Sequence, residues 1–181
     1  MDQTLAVRQS PLDRARGGRP GAAATAIFAL SSATLLGAWY FQYALGYLPC
    51  DLCLKERIPY YVIIPLSLIV AVAARTRAPR PAVMFGLATL GIAALCGAAL
   101  GVYHAGVEWG LWAGPSDCTG TVWDLKSGGS LYDQLDSIRV VPCDKAAWRF
   151  LGISLAGYNA LISLLMAGFA GFGLLPAARL D

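Results

Sequence analysis

The chain has 181 residues, of which 57% are hydrophobic and only 14% charged. An ordinary soluble domain carries about a quarter charged residues, so this deficit argues against a soluble enzyme, and the length leaves room for one domain. The net charge of +3 comes largely from arginines that flank apolar runs, a placement that gives no sign of nucleic-acid binding.

Residues 1–21 form a basic tail with Arg8, Arg14, Arg16 and Arg19, broken by Pro11 and Pro20, and no apolar face can be drawn through it. The apolar run at about 22–47 is too long for the core of a signal peptide and long enough to cross a bilayer. Three more runs follow at about 58–74, 82–104 and 150–177. The second contains Pro59, which suits a first helical turn, and Pro65, which predicts a kink. The pattern predicts an all-α integral membrane protein, a bundle of four transmembrane helices. Its connections fall at 48–57, 75–81 and 105–149, with 178–181 as a short C-terminus.

In the long connection, Leu131, Leu135 and Ile138 recur at helical spacing around Asp133, Gln134 and Asp136. This predicts a short amphipathic helix on the membrane surface. Trp109, Trp112, Trp123 and Trp148 suit the headgroup level.

Four spans put both termini on one side. That side, with the 75–81 connection, carries 8 of the 14 Lys/Arg residues and 3 of the 11 acids. Positive charge favours the cytoplasm, so Cys50, Cys53, Cys118 and Cys143 are expected outside, where disulfides persist. The third span carries small residues at Ala93, Gly97, Gly101 and Ala105, a stripe for close helix packing. Cys96 beside it reads as a buried small hydrophobe.

The chemistry concentrates at Pro49-Cys50-Asp51-Leu52-Cys53-Leu54-Lys55-Glu56-Arg57. A helix starting near Leu52 would aim its free N–H groups at Cys53, with Arg57 one turn on along the same face. Both effects favour thiolate, the reactive form. Structural zinc ordinarily takes four Cys or His ligands, and the chain has one histidine, so no metal site is expected. A structural disulfide is the alternative, although a loop this small gains little from closure. Cys118 and Cys143 could staple the long loop, or could exchange with the first pair. His104 and Glu108, one turn apart at the membrane edge, could anchor the helix or flank a polar ring together with Arg57.

The Pro-Cys-Asp-Leu-Cys-Leu-Lys-Glu-Arg motif, Tyr103-His104, and Val-Pro-Cys-Asp-Lys-Ala-Ala-Trp-Arg-Phe-Leu-Gly at 141–152 together resemble the disulfide bond formation protein B (DsbB) family. These are four-helix quinone reductases of bacterial inner membranes, and the match spans roughly residues 22–177. The resemblance implies catalytic Cys50, Cys53, Cys118 and Cys143, with a periplasmic thioredoxin-like protein of the DsbA type attacking Cys118 and releasing Cys143. Cys143 would then attack Cys50, leaving Cys53 facing a membrane quinone, ubiquinone or menaquinone. Arg57, His104 and Glu108 become the expected quinone contacts. Vitamin K epoxide reductase also combines four helices with two cysteine pairs, but the Glu-Arg after Cys53 and the Pro-Cys-Asp…Trp block fit DsbB better. A non-catalytic assembly or metal-handling subunit with a stapled outer loop is the alternative from another class.

Overall fold

The computed structural model describes residues 18–76, 78–115 and 142–175. Four long helices dominate: α1 (Gly18–Tyr43), α2 (Asp51–Arg75), α3 (Arg80–Glu108) and α4 (Leu155–Leu174). Each is long and apolar enough to cross a membrane. A small antiparallel hairpin of β1 (Arg149–Phe150) and β2 (Ile153–Ser154) precedes α4. Each helix packs on its neighbours in sequence and α1 closes the ring on α4, giving a four-helix membrane bundle.

The outer surface is apolar, with Leu36, Ile69, Phe85, Ile92 and Leu161 exposed, while Ser31, Ser67, His104, Asn159 and Ser163 are buried. This distribution suits a bilayer, where exposed hydrocarbon costs nothing and a polar group must find its partner inside the protein. Two buried hydroxyls do so within their own helix: Ser31 Oγ donates to Phe28 O, and Ser67 Oγ to Ile64 O.

The stripe of small residues on α3 works as close packing. A Cβ on Gly101 would lie 2.8 Å from Ala160 N and 3.0 Å from Ala160 Cα, so the backbones of α3 and α4 approach in a way that only glycine permits. At Gly97 the neighbour is the Ser163 side chain, whose Oγ would be 3.1 Å from an added Cβ.

The helix ends differ from the expected runs, and the differences decide where the site residues sit. α1 stops at Tyr43 rather than near 47, because Gly46 (φ +70°) takes the left-handed position and Tyr47 N–H donates back to Phe41 O. The chain turns there and α2 starts at Asp51, one residue before the start expected near Leu52, so Cys53 and Arg57 lie on its first turns, ahead of the apolar run at about 58–74. α2 continues through Pro59 and Pro65 to Arg75 as one element. α3 runs on to Glu108, so His104 and Glu108 are helical too.

The fourth helix begins at Leu155, not near Phe150, because residues 149–154 pair as the hairpin through Leu151 (φ 50°) and Gly152 (φ 82°). Ser154 then caps α4, its Oγ accepting from Gly157 N. Cys96 is exposed on the apolar outer surface of α3, not buried as its sequence setting suggested. The amphipathic helix expected around residues 131–138, Cys118, most of the N-terminal tail and residues 178–181 lie outside the described residues.

Candidate functional site

Cys50 is the N-cap of α2. Its carbonyl accepts the first helical hydrogen bond, from Leu54 N–H, and its Sγ accepts from Cys53 N–H at 3.3 Å. The helix N-terminus therefore acts on Cys50, whereas the sequence had pointed it at Cys53. The two sulfurs are 2.8 Å apart, both as free cysteines. A disulfide requires about 2.05 Å, so less than an ångström of movement closes the bond.

From α3, His104 completes the group. Its Nε2 is 3.7 Å from Cys50 Sγ and its Nδ1 is 2.9 Å from Glu56 Oε1. A carboxylate at that distance accepts the Nδ1–H, which turns Nε2 toward Cys50, where it can take that sulfur's proton and hold it facing the thiolate. Cys50 is held well below the usual thiol range, at about 5, chiefly by the hydrogen bond from the Cys53 thiol and then by His104; burial opposes both. The cap position and its partners therefore favour the thiolate form of Cys50.

The same three residues, Cys50, Cys53 and His104, offer donor atoms within 4.8 Å of one another, close enough to consider a metal ion. A tetrahedral zinc holding both sulfurs at about 2.3 Å would keep them roughly 3.8 Å apart. At 2.8 Å the pair is arranged for a sulfur–sulfur bond instead.

Arg57 follows Cys53 by one turn, and its Nη1 donates to Gln42 Oε1 of α1 at 2.5 Å. Glu108 is one turn beyond His104, its Oε1 3.9 Å from His104 Nε2, and its buried Oε2 has no hydrogen-bond partner among the described residues. Cys50, Cys53, Arg57, His104 and Glu108 all line one cavity of about 290 Å³ whose wall is otherwise mainly apolar. That volume is at the small end of ligand pockets, suited to a single ring.

Cys143 is disulfide-bonded. It is buried in a small cluster with Cys50, Leu52 and Val107, and Cys53 packs against that cluster. The segment that carries it also closes one side of the cavity, through Pro142, Lys145 and Ala147. Of the expected site residues, the structure thus brings six together and leaves Cys118 outside the described residues.

Sequence reading missed Glu56 as a site residue, along with Gln42, Tyr60 and Asn159. Glu56 had a signal: a carboxylate inside an apolar helix is expensive unless it has a partner. Asn159 had a similar one, as the single asparagine of the chain, set in the last apolar run.

A bundle of this kind, with a near-bonded cysteine pair at the end of one helix beside a cavity, defines a multi-pass membrane protein of thiol–disulfide chemistry. The chain matches the family model described as disulfide bond formation protein DsbB over residues 20–173, most of its length, and it belongs to that family. It is also 29% identical over 148 residues to an uncharacterized protein of Rickettsia prowazekii, covering 80% of this chain and 82% of the relative. No solved structure matches it.

Proposed function

We propose that the protein is a protein-dithiol:quinone oxidoreductase of the bacterial inner membrane. It reoxidises a periplasmic thioredoxin-like protein of the DsbA type and passes two electrons to a membrane quinone, ubiquinone or menaquinone. Both termini are cytoplasmic and the four site cysteines periplasmic, following the charge asymmetry of the sequence. The observation that carries the reading is the burial of disulfide-bonded Cys143 in one cluster with Cys50, beside the Cys53 thiol.

In this cycle a donor thiolate attacks Cys118, breaking a Cys118–Cys143 bond and releasing the Cys143 thiolate. Cys143 attacks Cys50 of an oxidised Cys50–Cys53 pair, and the Cys53 thiolate leaves. The donor's second thiol then displaces Cys118, so the donor departs as a disulfide. Cys118 attacks Cys143, re-forming that pair and releasing Cys50. Cys50 and Cys53 are left as a dithiol.

The cavity fits a quinone ring: it is ring-sized, largely apolar, lined by both thiols, and has polar atoms without partners among the described residues. When bound, the quinone supplies the two-electron acceptor chemistry and takes up two protons. The protein's part is to hold and move those protons. His104 Nε2 receives the proton of Cys50, with Glu56 holding the opposite ring nitrogen, and Glu108 offers a second proton site. Arg57 sets positive charge where negative charge develops.

The test is quinone reduction by detergent-purified protein supplied with a reduced thioredoxin-like periplasmic donor, with and without Cys118→Ala. Turnover that requires Cys118 supports the cycle. Folded protein that reduces no quinone with several donors would leave a stapled, non-catalytic membrane subunit as the better account.

A further inference from the structure

One buried polar group in the cavity has no part in the scheme above. Asn159, near the start of α4, is 8% exposed and lines the cavity, and its Nδ2 has no hydrogen-bond partner among the described residues. Tyr60 Oη donates to Asn159 Oδ1 at 2.5 Å, and the same hydroxyl lies 3.3 Å from Ser163 Oγ. Tyr60 and Ser163 are themselves buried, so a three-residue network from α2 and α4 holds the amide oxygen on one side and leaves the amide nitrogen on the other.

An amide nitrogen without an acceptor in an apolar wall costs free energy, and hydrocarbon offers it no replacement partner. A donor kept in that condition is suited to an acceptor that arrives and leaves. Tyr60 follows Glu56 by one helical turn on the buried face of α2, which sets Asn159 beyond the thiol end of the cavity. A 1,4-quinone carries two carbonyl oxygens on opposite edges of its ring, both acceptors only. With one oxygen toward Arg57 and Cys53, the other is directed away from them.

We propose that Asn159 Nδ2 donates a hydrogen bond to the quinone carbonyl remote from Cys53, with Tyr60 and Ser163 as the residues that position the amide. The proposal rests on the quinone reading above and assigns it a second polar anchor. An amide donor serves either oxidation state of that oxygen. Its effect should therefore fall mainly on affinity and KM, less on kcat.

The experiment is calorimetric titration of the full-length, detergent-purified protein with a short-tailed ubiquinone, and with the matching arene that lacks both ring oxygens. Asn159→Leu is expected to weaken quinone binding roughly 5- to 100-fold, the range for removing a donor from a buried acceptor. Arene binding should stay within about twofold, since the side chains are similar in volume. Tyr60→Phe frees the amide, and should give a smaller loss confined to the quinone; it decides the matter if Asn159→Leu does not fold. Unchanged quinone affinity, or equal losses for quinone and arene, would reduce Asn159 to a piece of wall and overturn the proposal. Wild-type protein that binds no quinone would instead sink the functional reading, and this proposal with it.

Discussion

Nδ1 of His104 sits 2.9 Å from Oε1 of Glu56, a contact between α3 and α2 across 48 positions of sequence, with both side chains buried. It fixes which ring nitrogen faces Cys50, and so makes Glu56 a positioning residue for the thiol chemistry. Glu56→Gln keeps the shape and loses the charge. Because a charge-assisted hydrogen bond contributes about 1.5–3 kcal/mol, turnover should fall ~10- to 100-fold. A purely structural role would leave the pH profile unmoved; here the acidic limb should shift along with the Cys50 titration.

That titration is a prediction of its own. Cys50 is an acid whose ionisation is lowered to about 5, so its thiolate persists above that pH and is lost as pH falls through it. Ultraviolet thiolate absorbance of the reduced protein, on a Cys96→Ala background, should show this midpoint. Removal of the Cys53 thiol (Cys53→Ala) should raise it more than His104→Ala, because the Cys53 hydrogen bond is the larger cause. A midpoint near 9 in the intact pair would show that the cap and its partners do not act on Cys50.

Close approach of α3 and α4 predicts a steep cost at Gly101. An added Cβ meets Ala160 backbone atoms, which cannot rotate away, so Gly101→Ala should destabilise the bundle by ~1–3 kcal/mol. Gly37→Ala is the matched control, since nothing lies within 4 Å of its added Cβ. Thermal unfolding in detergent checks both. Equal melting temperatures would mean the helices are not held this closely.

Cys96 is exposed on the apolar outer face of α3, apart from the cavity lining. Cys96→Ala should leave turnover near wild type. A large loss would bring this thiol into the redox path.

Much of this protein was legible one residue after another. Hydropathy marked four spans because each helix must bury its own backbone hydrogen bonds in lipid and clothe them in apolar side chains, a local requirement. The Cys50-x-x-Cys53 spacing and the Arg57 one turn later are likewise local, as are the arginines that weight one side. Helix ends were less legible: Gly46 stops α1 early and the Leu151-Gly152 turn delays α4, and both depend on how the chain re-enters the bundle. The rest was decided in three dimensions. Sequence could not say that Cys50, and not Cys53, caps α2, since that hangs on where the helix begins. Nor could it pair Glu56 with His104, Tyr60 with Asn159 across 99 positions, or Cys143 with the cluster of Cys50. Those meetings depend on the rotation and spacing of whole helices, which packing sets at contacts such as Gly101 on Ala160.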